Sequence, residues 1–121
     1  MTVDLDRLPR ATQALTAHDR KVSCEGVLLR DVLAKAGLPT GADVRGTALT
    51  TVITAHARDG YRVAFTLGEL DAQLGAARVL VATRCDDHAL DEDDGPLRLV
   101  VDDRTRGARS VRQLERLSVD H

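Results

Sequence analysis

The densest chemistry in this 121-residue sequence lies in "DDRTRGARSVRQ", where Arg104, Arg106, Arg109 and Arg112 accompany Gly107 and Ser110. Guanidinium groups present paired N–H donors, and a glycine turn followed by a turn of helix opening near Ser110 would add oriented backbone amides. Such donors suit a phosphate or diphosphate, whose charge and oxygen geometry they match. The same residues also fit a solvated Arg/Asp-rich loop, and locally both readings stay open. In the strand before them, Arg98 either snorkels at a sheet edge or borders a pocket. Neither GxGxxG nor GxxxxGK[ST] directs the region toward a nucleotide.

Other constellations are weaker. His18, His56, His88 and His121 are widely spaced, and the pair Cys85 with His88 falls two ligands short of a structural zinc site. The acidic run from Asp86 to Asp94 lacks the spacing and central glycine of an EF-hand loop and reads as a solvated loop. No GxSxG elbow occurs. No metal site built from side chains is expected. Cys24 and Cys85 form no CxxC pair and are expected as buried or incidental thiols rather than a disulfide.

The elements that must position these groups follow from the apolar pattern. "VDLDRLP" alternates like a short edge strand. "GVLLRDVLAKAGLP" places Val27, Leu29, Val32, Leu33 and Ala36 on one helical face, with Gly37 to close the helix and Pro39 to prevent its resumption. "ALTTVITAHARDGYRVAFTL" reads as a hairpin with a type I′ turn at Asp59-Gly60, carrying Tyr61, Val63 and Phe65 on one face. Thr66 and Glu69 form a capping box, with Phe65 and Leu70 as its hydrophobic staple, for a helix from Leu67 to about Leu74. "RVLVATR" is a buried strand, and "PLRLVV" is another that tolerates Pro96 at its start. The tail "GARSVRQLERLSV" divides into a turn of helix and a closing strand. The expectation is one α+β domain, with a mixed sheet containing an antiparallel hairpin and a few short helices.

Composition narrows the partners. With 17 basic and 19 acidic residues the net charge is −2, too balanced to hold the whole chain on nucleic acid or an anionic membrane. No apolar run suits a membrane span, and "MTVDLDRLPR" has no apolar signal segment, so the expected location is cytoplasmic.

Taken together and in order, "CEGVLLRDVLAKAGLP", "DGYRVAFTLGEL", "RVLVATR", "GPLRLVV" and "GARSVRQLERLSV" resemble the oxidoreductase molybdopterin-binding domain of the sulfite oxidase superfamily, over about residues 22–119. The resemblance implies an α+β domain holding a molybdenum–pterin cofactor and oxygen-atom transfer to or from a small substrate. It also makes Arg104, Arg106, Arg109, Ser110 and Arg112 candidate contacts to the pterin phosphate, Arg109 and Arg112 foremost. The family binds molybdenum through a cysteine about ten residues before the glycine of the "GVLL" segment. Here that neighbourhood is "ALTAHDRKVS", without cysteine, and Cys24, two residues before Gly26, is a poor substitute. The family's amino-terminal histidine and arginine contacts are also expected to be missing. The resulting expectation is pterin-phosphate binding without self-sufficient redox catalysis. The alternatives are a molybdopterin-dependent oxidoreductase, completed by Cys24 or a partner chain, and a cofactor-free interaction module.

Overall fold

The computed structural model describes residues 4–17, 20–93, 95–101 and 110–120. Strands β1 (Ala11–Ala17), β2 (Arg20–Leu28), β5 (Val79–Cys85) and β6 (His88–Ala89) form one sheet in that order, and β7 (Arg98–Val101) pairs with β5. A second sheet has the order β4 (Arg62–Thr66), β3 (Val52–Ala57), β8 (Leu114–Asp120). All pairings among the described strands are antiparallel. With helices α1 (Leu29–Lys35) and α2 (Leu67–Leu70), they give the α+β class expected.

The main core lies between the inner faces of the two sheets. Val27, Val79, Val81, Leu99 and Val101 come from the first, Ile53, Ala55 and Phe65 from the second, and Leu29, Val32 and Leu33 of α1 join them. The β3 sequence alternates buried and half-buried positions, the signature of a strand wetted on one face. Strand β5 differs, because Leu80 and Ala82 on its other face are also buried, beside Cys24 and Val100. Strand β1 curls toward this second face. Gln13 Nε2 donates to the carbonyls of Arg78 and Val100, at 2.9 and 3.0 Å.

Strand pairing shortens the first expected helix. Gly26, Val27 and Leu28 have helical spacing, yet they continue β2 because β5 offers them ladder partners in Ala82, Val81 and Leu80. Helix α1 therefore begins at Leu29. Its end follows the sequence: Gly37 takes φ 96°, and the Gly37 and Leu38 amides donate to the Ala34 and Leu33 carbonyls, a Schellman closure.

The capping box also forms as read. Thr66 Oγ1 accepts from the Glu69 amide and Glu69 Oε1 from the Thr66 amide. Helix α2 is nevertheless only four residues long, ending where Asp71 turns inward. The Asp71 carboxylate accepts the Gly41 and Gln73 amides, which ties two loops together. Thr66→Ala should lower stability by about 1 kcal/mol, read as a shift of the urea midpoint at constant slope.

Three turn expectations change. Residues 3–9 supply no edge strand among the described positions; Leu5–Arg7 is a 3-10 turn capped by Asp4, and the edge strand is β1. The 58–61 loop has positive φ only at Gly60, so it is not type I′. Tyr61 falls in that loop, 47% exposed, while Phe65 is buried, so the two aromatics do not share a buried face. The two-residue turn with positive φ at both positions occurs instead at Asp86-Asp87, which joins β5 to β6. The acidic stretch thus begins as a hairpin rather than wholly as a loop. In the tail, residues 110–113 are not helical.

Candidate functional site

Strand β7 delivers the chain to the arginine-rich segment, and its apolar sequence fixes it firmly, with Leu99 and Val100 fully buried. Residues 102–109 follow, so Arg104, Arg106 and Arg109 lie outside the described residues. The chain returns at Ser110, whose hydroxyl oxygen accepts the Val101 amide at 3.1 Å. The Leu99 amide then donates to the Val111 carbonyl and the Leu114 amide to the Leu97 carbonyl. Hydrogen bonds therefore hold together residues 97–101 and 110–114, the two stretches that flank this segment.

This return path explains why no turn of helix opens at Ser110. Residues 110–114 run beside β7, where their backbone groups find strand-type partners and Val111 becomes fully buried. A helix there would forfeit both. Gln113, at φ 50°, then bends the chain into β8. A helical turn opening at Ser110 is accordingly not there to aim its amides at an anion. Of the expected contacts, the structure places Ser110 half-buried beside β7 and Arg112 exposed two residues later.

A residue that sequence reasoning passed over organises the other side of this paired stretch. Gln113 Nε2 donates to the Glu92 carbonyl at 2.6 Å, and the Gln113 carbonyl accepts the Arg58 amide. A cleft of about 480 Å³ opens there, bordered by Arg58, Asp91, Glu92, Asp93, Pro96 and Gln113. Asp91, Glu92 and Asp93 line it from one side, so it does not suit an anion. Nothing in the local sequence marks Gln113; its role arises from the fold bringing 90–96 against 113.

The cysteines correct a second expectation. Cys24 and Cys85 are joined in a disulfide. They lie in direct register on β2 and β5, with Cα atoms 4.0 Å apart. Sixty-one residues separate them in the chain, so the pairing becomes visible only when the two strands are aligned.

These observations test the fit of a molybdenum–pterin group. Its metal end does not fit: both thiols are consumed in the disulfide, Cys24 is fully buried, and no cluster of metal-ligating side chains occurs among the described residues. Its phosphate end has donors of the right kind in Ser110 and Arg112, next in the chain to a stretch rich in arginine. The family model described as oxidoreductase molybdopterin binding domain matches residues 8–121. No curated protein matches the chain.

Proposed function

Because this chain belongs to the oxidoreductase molybdopterin-binding domain family, we propose that it takes up the phosphate end of a pterin cofactor without performing oxygen-atom transfer by itself. The observation that carries this reading is the disulfide, which leaves neither cysteine as a thiolate for molybdenum. The phosphate would be held by guanidinium forks of the 102–112 segment and by the Ser110 hydroxyl, whose oxygen is already oriented by the Val101 amide. A bound molybdenum–pterin group supplies two-electron oxygen-atom chemistry, but only when a protein thiolate and a closed pocket tune the metal. This chain's contribution is binding and orientation of the anionic end. A buried disulfide is ordinarily kept by an oxidising compartment. A cytoplasmic location would therefore require the pair to be held reduced.

The test is purification from a host that makes the cofactor, followed by assay of fluorescent oxidised pterin and of molybdenum. Near-equimolar pterin with little molybdenum is expected, and Arg112→Ala should lower the pterin retained. Absence of both pterin and molybdenum would reduce the chain to a scaffold. Equimolar molybdenum with turnover of an oxoanion substrate would overturn the reading in favour of a complete enzyme.

A further inference from the structure

The outer face of the β4-β3-β8 sheet carries a row of basic side chains that the reading above does not use. His56, on the central strand, is in direct register with Arg62 on β4 and with Arg116 on β8. Directly opposed cross-strand residues have Cβ atoms about 4.5–5.5 Å apart, so the two guanidinium side chains flank the imidazole from either side. Among the described residues, ion pairs join Arg7 to Asp4 and Arg10 to Glu25, and none engages Arg58, Arg62 or Arg116. A cleft of about 690 Å³ lies over the row, lined by His56, Arg58, Gly60, Arg62, Glu115 and Arg116.

The hydrogen bonds define the donors. Arg116 Nη2 lies 3.4 Å from His56 Nδ1, and a guanidinium can only donate, so Nδ1 accepts. The imidazole proton is then on Nε2 and is donated to Ser118 Oγ at 2.8 Å. That leaves the Ser118 hydroxyl proton to be donated elsewhere. Two permanent cations, a third arginine at the rim and an oriented hydroxyl thus meet around a neutral imidazole, with Glu115 the one carboxylate among the described residues lining the cleft.

We propose that this face is a binding site for a phosphate-type dianion, free or as a phosphate monoester, gripped by Arg62 and Arg116 from either side of His56. Guanidinium forks match two oxygens of such an anion at once. The anion would supply countercharge to guanidinium groups that no ion pair engages among the described residues. The cleft leaves room for an organic group beyond the phosphate. No described residue of the 102–112 segment lines it, and the proposal does not depend on pterin binding.

Protonation should be linked to occupancy. Burial, then Arg116 and Arg62, lower the His56 pKa from 6.5, and Asp120 raises it in opposition. Arg58 and Glu115 border the same cleft. In the free protein His56 is therefore neutral at pH 7. A bound dianion offsets the arginine field and lifts that pKa, so binding of an anion that keeps its own charge takes up a proton at His56 and strengthens as pH falls below 7.

The experiment titrates the whole chain with sodium phosphate and sodium sulfate at constant ionic strength, against chloride, following the arginine Nε–H and histidine signals by nuclear magnetic resonance. Saturable shifts at Arg62, Arg116 and His56 are expected, with affinity lowered about tenfold in each of Arg62→Ala and Arg116→Ala. Arg45→Ala, at an exposed arginine away from the cleft, should bind as the parent does. Sulfate does not titrate in this range, so its tighter binding at pH 5.5 than at 7.5 reports His56, and His56→Gln should remove that difference. Arg62→Lys and Arg116→Lys keep charge and strand, and should still weaken binding severalfold by losing the forks. Non-saturable shifts, an equal response to chloride, or parental affinity in the Arg62→Ala/Arg116→Ala double variant would overturn the proposal. Loss on Arg112→Ala alone would place the anion on the carboxyl-terminal segment and overturn it equally. Pterin retention is measured independently, so failure of either idea leaves the other standing.

Discussion

Gly26→Ala should largely prevent folding. A Cβ built at this position would stand 1.9 Å from the Val81 carbonyl oxygen and 2.8 Å from the Ala82 Cα. These are backbone atoms of β5 and cannot rotate aside. The β2–β5 ladder would have to part where the strands already shift register between Glu25 and Gly26. Overpacking a core commonly costs about 1–3 kcal/mol, and a backbone collision at the middle of the larger sheet belongs at or beyond the upper end. Urea unfolding, or the soluble yield where no folded protein survives, would register the loss. A folded variant with a parental midpoint would show that β2 and β5 can separate without cost. Gly37→Ala makes a useful contrast. Nothing lies within 4 Å of that position, so only its left-handed backbone, at φ 96°, resists the change, by about 1–2 kcal/mol.

Loss of the Cys24–Cys85 disulfide should be comparably damaging. The bond spans a sequence separation of 61 residues, and releasing a loop of that length gives the unfolded chain entropy equivalent to about 4 kcal/mol. Melting with reductant, or of the double variant Cys24→Ala/Cys85→Ala, should fall on the order of 15 °C below the oxidised protein. An unchanged melting temperature would mean that the β2–β5 pairing holds the denatured ensemble together without the bond. Reduction should still not create a metal centre. The Cys24 side chain remains packed with Leu80, Ala82 and Val100, all fully buried, where neither metal nor substrate has access. Molybdenum content measured after reduction in the presence of molybdate and pterin should therefore stay low.

Both predictions concern the β2–β5 seam, and both depend on information that adjacent residues do not carry. Helical spacing in 26–36 is real, yet residues 26–28 pair with β5 because a ladder partner and burial on the sheet outweigh a weak local preference. Tyr61 illustrates the same limit. Its alternation with Val63 and Phe65 would place it inward, but the 58–61 loop closes one residue before the strand begins and leaves it half in solvent.

Local features were legible in the order of residues: the Thr66–Glu69 cap, the glycine closure after α1, the buried run of β5, and the ordered motifs that mark the family. Each depends on groups within a few residues of one another, where covalent geometry and hydrogen-bond reach leave few choices. Which distant groups meet came from the packing of the two sheets. Cys24 met Cys85, Ser110 returned to Val101, and Arg62, His56 and Arg116 aligned across three strands. Strand register brings residues from 24 to 116 side by side, and register is set by burial summed over both sheets rather than by any one stretch of chain.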